Sequence, residues 1–241
     1  MTKRPVFIHH HLGMGDHIMC NGLVRSLLND GAYYTEAYVF AKSKNAQRVS
    51  RMFDDDTRIR IIPIPEGENE ITFVNGVVYK YGIVDFIRCG FGAIENLTSA
   101  GLVSNFDEAF YVGAGIPFEM KWSKFKLRRD RQEEQRVVKK LNPDGVQFMF
   151  VHDDPSRGFV INPHNPNNLL VIKNDPSEDL FNMIGVLENA SEIHCMESSI
   201  SNLIEFIPSV TCPLYMHKSV RTDSNGNSYN AISKQKNWIL A

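Results

Sequence analysis

Residues 6–28 read VFIHHHLGMGDHIMCNGLVRSLL. A short apolar run, Val6–His10, ends in three histidines and a glycine turn, Gly13-Met14-Gly15. Asp16 follows, and then Cys20, Leu23, Val24, Leu27 and Leu28 recur at helical spacing, one apolar face fit to lie on a sheet. Strand, glycine turn and amphipathic helix in that order form the first unit of a parallel α/β domain. In such a unit, backbone N–H groups and the positive helix end face a ligand. Asp16 stands at the mouth of that turn. It reads either as a helix cap or as a carboxylate placed for general-base work.

Further along, Ala37–Ala41 and Arg58–Ile64 read as strands around a helix at Ala46–Phe53, giving β-α-β-α-β, which requires crossovers and a parallel sheet. Ile71–Tyr81 carries two signals. Asn75-Gly76 between apolar runs suggests a hairpin. Ile71, Val74, Val78 and Tyr81 also form a helical stripe, and a doubly wound domain needs a helix there. Val84–Arg88 is the fourth strand and Asn105–Val112 a short helix. A basic stretch, Trp122–Lys140, contains the charged helix Arg131–Leu141, stopped by Asn142-Pro143-Asp144-Gly145. A second α/β series then begins. Its strands are Val146–His152, Leu169–Ile172, Glu192–Met196 and Pro213–Met216. Asp175-Pro176-Ser177-Glu178 has the pattern of a helix start, and Ser198-Ser199 opens another helix. Ser219–Ser233 is a polar loop, and Trp238 and Ile239 anchor a short tail. The predicted domains are residues 1–118 and 119–241, two facing Rossmann-like halves with a central cleft, the tail packing back on the first.

The chain has 241 residues, is 43% hydrophobic and 22% charged, and carries a formal net charge of -2. That balance fills a sizeable core and gives nucleic acid no bulk electrostatic attraction. Glu133 and Glu134 interrupt the basic stretch, which reads as a solvated linker. The cysteines, Cys20, Cys89, Cys195 and Cys212, form no C-x-x-C pair and read as reduced thiols of a cytoplasmic protein. The N-terminus lacks a signal-peptide apolar region, and no run is long enough to span a membrane. His9-His10-His11 invites a metal, but neighbours on a strand point to opposite faces, so no metal is expected.

Three stretches can carry chemistry. The first is Gly13–Arg25, where Asp16 is followed by His17, Asn21 and Arg25 at four-residue spacing, a polar stripe on either a ligand or solvent. The second is VHDDPSR, residues 151–157, a strand end with His152 and a cation, Arg157, able to grip a pyrophosphate. The third is HCMESSISNLIEF, residues 194–206, where Glu197, Ser198 and Ser199 sit at a strand-to-helix turn suited to phosphate and sugar hydroxyls. Lys173 and Asn174, at another strand end, add a phosphate contact.

Through LGMGDHIMCNGLVR and EIHCMESSISNLIEF the chain resembles glycosyltransferases of the two-Rossmann (GT-B) type, and within them the heptosyltransferase-type group with its small bacterial and phage relatives. The resemblance implies an inverting, metal-independent transfer of a sugar from a nucleotide-diphospho-sugar to an acceptor hydroxyl. Asp16 corresponds to the base of the G-D step, with Gly13, Gly15, His17, Asn21 and Arg25 on the acceptor side. Arg157 corresponds to the basic residue that meets the diphosphate. Glu197-Ser198-Ser199 replaces the usual D-T/S-G of the donor turn. The implied partners are a nucleotide-sugar and a glycan, lipid-linked or small-molecule acceptor, with peripheral membrane contact compatible and no cofactor beyond the donor. The alternatives are a nucleotide-sugar epimerase on the same scaffold and a non-catalytic nucleotide- or glycan-binding module.

Overall fold

The computed structural model describes residues 4–28, 33–82, 84–90, 97, 100–101, 103–220 and 232–241. The predicted helix stop at Asn29-Asp30-Gly31 and most of the polar loop after Ser219 lie outside these residues. The chain divides into two compact units, Met1–Arg128 with Ala231–Ser233, and Arg129–Asn230 with Lys234–Ala241.

The first unit holds strands β1 (Arg4–His9), β2 (Tyr34–Lys42), β3 (Ile59–Ile64) and β4 (Asp85–Arg88) in the order β3-β2-β1-β4, all parallel. The chain steps outward from β1 to β3, then returns to the far side of β1. The strand order therefore reverses between β1 and β4, the place where open parallel sheets bind ligands at their carboxyl ends. Helices α1 (Met14–Met19), α2 (Asn21–Leu27), α3 (Ser43–Met52) and α4 (Glu70–Tyr81) belong to the connections. Phe7, Phe40, Ile64 and Val74 are buried together, with Tyr38, Phe73, Val77 and Val78 packed around them, which joins α4 to the sheet. The helix reading of 71–81 holds. Asn69 caps α4 by accepting from the Thr72 N–H at 3.0 Å, and Gly76 sits within the helix. A hairpin there would have forced antiparallel neighbours, which this sheet lacks.

The helix expected from Asp16 to Leu28 is broken at Cys20 into α1 and α2. Tyr111, on α5 (Phe106–Gly113), fills the break. Its hydroxyl donates to Met19 O at 2.7 Å and accepts from Leu23 N at 3.1 Å, occupying the gap that an i→i−4 helix bond would close. α2 is also pinned to α6 (Met120–Ser123): a Cβ added at Gly22 would lie 2.2 Å from Met120 O. Beneath α6, Lys121 is 1% exposed and forms an ion pair with the fully buried Asp107, which also accepts from the Ser233 backbone N–H at 3.0 Å.

The second unit begins with α7 (Arg131–Leu141), capped by Asp130, whose carboxylate accepts from Gln132 N and Glu133 N. Strands β5 (Phe148–His152), β6 (Leu170–Lys173), β7 (Glu192–Cys195), β8 (Leu214–Met216) and β9 (Trp238–Leu240) form a parallel sheet in the order β6-β5-β7-β8-β9. Here the order reverses between β5 and β7. Between β6 and β7 lie a 3-10 turn, Leu180–Met183, and α8 (Ile184–Asn189). The predicted start at Asp175 is corrected: Asp179 is the cap, accepting from Phe181 N at 2.8 Å. α9 (Ser199–Ile204) follows β7. The tail, expected to pack back on the first domain, is instead strand β9 of the second sheet, paired with β8 through Leu214–Trp238, Tyr215–Ile239 and Met216–Leu240. The two parallel α/β sheets bear out the predicted fold class. Among the described residues no helix is long and apolar enough to cross a membrane.

Candidate functional site

In the first unit the turn after β1 is built around Gly13 and Asp16. Gly13 is the N-cap of α1, at φ −69°, ψ 148°. Asp16 is therefore the third helical residue rather than the cap. Its carboxylate reaches back to accept the Gly13 N–H at 3.1 Å. The glycine serves space and not a left-handed backbone, because a Cβ on Gly13 would lie 2.6 Å from Asp16 Oδ2. Asp16 is half-buried, as is Gly15 in the same turn. A carboxylate in this turn is the group type that general-base work uses.

Most of the stripe expected from Asp16 onward is engaged within the protein. Asn21 is fully buried and bonds the Lys126 backbone in both directions, donating to its O at 3.1 Å and accepting from its N at 3.0 Å. Arg25 grips Asp55 with two N–H groups, at 2.7 and 3.3 Å, and also donates to Asn21 Oδ1 and to the Met52 and Lys126 carbonyls. These two residues fasten α2 to the rest of their unit. His17 is 1% exposed and neither ring nitrogen has a hydrogen-bond partner. Its ring meets His10 edge-on, centroids 4.6 Å apart, and His10 Nε2 is likewise unpaired. Burial pushes the His10 imidazole down to about 4 and that of His17 well below its usual value. His17 is therefore a neutral interior group.

The first of the three histidines has partners that the sequence did not reveal. His9 closes β1 beside Arg88, which closes β4. Arg88 Nε donates to His9 Nδ1 at 3.2 Å, and His9 Nε2 lies 2.9 Å from Glu70 Oε1. Since arginine only donates, Nδ1 is the bare nitrogen and the proton sits on Nε2, facing Glu70. Burial lowers the His9 pKa, against the pull of Glu70, which keeps this neutral tautomer. The only sequence signal was position: both residues are the last of strands that turn out to be adjacent.

In the second unit the predicted donor residues gather at the carboxyl ends of β5, β6 and β7. His152 ends β5, Lys173 ends β6 and Asn174 follows it, while Glu197 and Ser198 follow β7. Ser198 and Ser201 cap α9 reciprocally: Ser201 N donates to Ser198 Oγ at 3.2 Å and Ser198 N to Ser201 Oγ at 2.9 Å. The Ser198 hydroxyl is thus engaged, while Ser199 is half-buried at the first helical position. Glu197 is 8% exposed. Both cations carry carboxylate partners, Arg157 with Asp154 at 2.5 Å and Lys173 with Asp153 at 2.7 Å. The two pairs differ. Arg157 is 56% exposed and its guanidinium lies over Phe159, whereas the Asp153 side chain is 1% exposed and also accepts the Ile161 N–H. The aspartates of the DDP turn thus serve as counter-ions, and no group of described residues has the makings of a metal site.

The basic stretch 121–140 is matched almost charge for charge by carboxylates. Arg128 pairs with Asp54, Lys126 with Asp55, Arg129 with Glu134 and Glu188, and Arg136 and Lys140 with Glu178. Such a neutralised run offers little to a phosphate backbone.

No family model matches the sequence, and no curated protein matches it. Similarity to solved structures is extensive. The glycosyl transferase family 9 protein of Veillonella parvula DSM 2008 superposes with a TM-score of 0.57 at 9% identity, over 99% of this chain and 85% of that one. For the Escherichia coli ADP-heptose LPS heptosyltransferase II the score is 0.55 at 11% identity, over 100% and 90%. The iron-containing dodecameric glycosyltransferase TibC of enterotoxigenic E. coli H10407 gives 0.53 at 12% identity, over 97% and 64%. The fold is that of two-Rossmann glycosyltransferases. The likeness predicted from the G-D turn and the ESS turn is borne out at that level, with neighbours of heptosyltransferase type.

Proposed function

We propose that this chain is a glycosyltransferase that moves a sugar from a nucleotide-diphospho-sugar to an acceptor hydroxyl, with inversion and without a metal. The reading is carried by one observation. On a fold shared with glycosyltransferases, the residues suited to a diphosphate collect at the strand-order reversal of the second unit. The Asp16 carboxylate stands in the turn after β1 of the first.

In this reaction the acceptor oxygen attacks the anomeric carbon, the bond to the nucleotide diphosphate breaks, and Asp16 takes the hydroxyl proton. Arg157, with Ser199 at the first helical position of α9, offsets the charge on the departing diphosphate. Arg157 must exchange Asp154 for phosphate. An exposed pair of this kind contributes at most about 1 kcal/mol, so the exchange is cheap. Lys173 is less free to move, because leaving would strand the buried Asp153. Lys173 and Asn174 therefore border the site, with His152 and Glu197 beside the nucleoside. The neighbours named for ADP-heptose make that compound the first donor to try. The acceptor is a glycan, lipid-linked or small molecule. The four free cysteines fit a reducing, cytoplasmic setting with at most peripheral membrane contact.

A thermal-shift series with nucleoside diphosphates and their sugars tests the donor half, since a ligand of the native state raises the midpoint. Asp16→Asn should keep that shift and lose transfer by 100-fold or so, within the usual range for a general base. Undiminished turnover would remove Asp16 from the role. Arg157→Ala should weaken the nucleotide, and unchanged affinity would show the donor half to be misassigned. Product analysis without acceptor separates transfer from epimerisation: an epimerase converts the donor sugar, a transferase at most hydrolyses it.

A further inference from the structure

The second sheet carries a group of titratable residues that the proposed transfer does not use. Glu192 and His194 of β7 share one face with Tyr215 of β8, which pairs in register with His194. His194 is 5% exposed, and its ring stacks on that of Tyr215, centroids 4.5 Å apart. His217 stands one residue beyond β8. Its amide donates to Cys195 O at 2.9 Å, which fixes it at the carboxyl edge of the sheet. There His217 Nε2 lies 3.0 Å from His194 Nδ1. The other nitrogen of His194, Nε2, is buried with no hydrogen-bond partner among the described residues, and Glu192 Oε1 lies 3.5 Å from it. Glu192, His194 and His217 therefore form a row, carboxylate to imidazole to imidazole. It leads from the start of β7 to the strand ends that carry His152, Glu197 and Ser199.

A carboxylate only accepts, so Glu192 favours the His194 proton on Nε2. His194 Nδ1 is then bare and accepts the His217 Nε2–H, which leaves a lone pair on His217 Nδ1. Burial lowers both imidazoles, against the pull of Glu192 on His194, so the row carries no added proton at pH 7. A proton added at His217 Nδ1 makes an imidazolium that Glu192 stabilises through His194. An anion beside His217 favours that charged form. The other charged groups of the site are matched within it: Lys173, on the same face through Val151, holds Asp153, and Arg157 holds Asp154. A diphosphate therefore meets pairs that are already neutral, and a group that turns positive as it arrives offsets its charge. We infer that His217 takes a proton from solvent on Nδ1 and donates that N–H to the diphosphate of the nucleotide-sugar, with His194 and Glu192 as its positioning residues. That the anion belongs to a nucleotide-sugar rests on the proposed function, whereas the proton-accepting row does not.

The test is calorimetric titration of the full chain with ADP, in buffers of different ionisation enthalpy, which counts the protons taken up. Inorganic pyrophosphate, which lacks the nucleoside, is titrated alongside while the His217 ring nitrogens are followed by NMR. The chain should take up more protons per ligand than His217→Gln does. Its affinity should also fall as pH rises, by up to about tenfold per unit, the linkage of one proton. His217→Gln should flatten that dependence and weaken ADP roughly 10-fold at pH 6.5, the order for a hydrogen bond to a charged group, with little change at pH 8.5. Glu192→Gln keeps the size of the side chain and removes its charge. It should move the fall in affinity to lower pH at an unchanged melting midpoint, a shift that lost packing alone would not produce. Binding with the same proton count and pH dependence in His217→Gln overturns the inference and leaves the transferase reading standing. Protonation of His217 by pyrophosphate, with no binding of any nucleoside diphosphate, counts against the transferase reading and keeps the proton-accepting row. No binding of either probe overturns both.

Discussion

At the scale of single residues, Tyr111 shows how one hydroxyl satisfies a break between two helices. It stands between Met19 O and Leu23 N, groups that would bond each other in an uninterrupted helix. Removing it presents the chain with two outcomes. If the helix could straighten, the orphaned pair would bond directly and little would be lost. Gly22, packed against the Met120 carbonyl, holds α2 where it is, so the gap should persist. Tyr111→Phe is therefore expected to cost about 1–3 kcal/mol, the penalty for unpaired buried groups, read from the urea midpoint. A near-neutral change together with new exchange protection at the Leu23 amide would show that the break depends on the hydroxyl alone. Asp16 illustrates the same dependence on neighbours. Its presence in the G-D turn was legible from sequence. Its place at the third helical position was not, because the cap is set by where Gly13 leaves room for a carboxylate.

Among the elements, legibility followed how local the determining forces are. α7 was readable to the residue, since Asp130, a polar face and the Asn142-Pro143 stop are all within its own stretch. The start near Asp175 was misplaced because its carboxylates are drawn elsewhere: Asp175 and Glu178 bond Lys140, and Glu178 also bonds Arg136, both on α7. Asn21 and Arg25 were visible as a stripe, yet Asp55 and the Lys126 backbone, distant in sequence, decide what the stripe does. β9 is three residues long without alternation, and its pairing with β8 is set by a clamp made in space. Glu205 accepts from Gln235 N at 2.7 Å, Lys236 N at 3.1 Å and Trp238 Nε1 at 2.5 Å. Glu205→Ala removes the acceptor of all three bonds at once. Hydrogen exchange should then show β9 and its partner β8 losing protection while β5 and β6 keep theirs. Unchanged protection of β9 would mean that strand pairing alone holds the tail.

For the molecule as a whole, the buried histidines and the paired carboxylates predict a two-stage response to acid. His10 and His17 are neutral in the folded chain because burial disfavours their charged form, whereas the unfolded chain titrates near 6.5. Above that pH neither state carries the protons and the term vanishes. As pH falls below it, the unfolded state binds protons that the folded state refuses, so stability declines. For His10 the decline continues to about 4 and amounts to something on the order of 3 kcal/mol. Asp175, Glu178 and Glu188 act lower. Their basic partners and hydrogen bonds hold each at about 2, so their contribution is lost only as pH drops from about 4 toward that value. Urea midpoints measured from pH 8 to pH 2 should therefore fall in two steps. His17→Phe removes two unpaired buried nitrogens, which should leave stability at pH 8 equal or higher and flatten the first step while sparing the second. A first step of undiminished size in that variant would place the acid response outside the histidine pair.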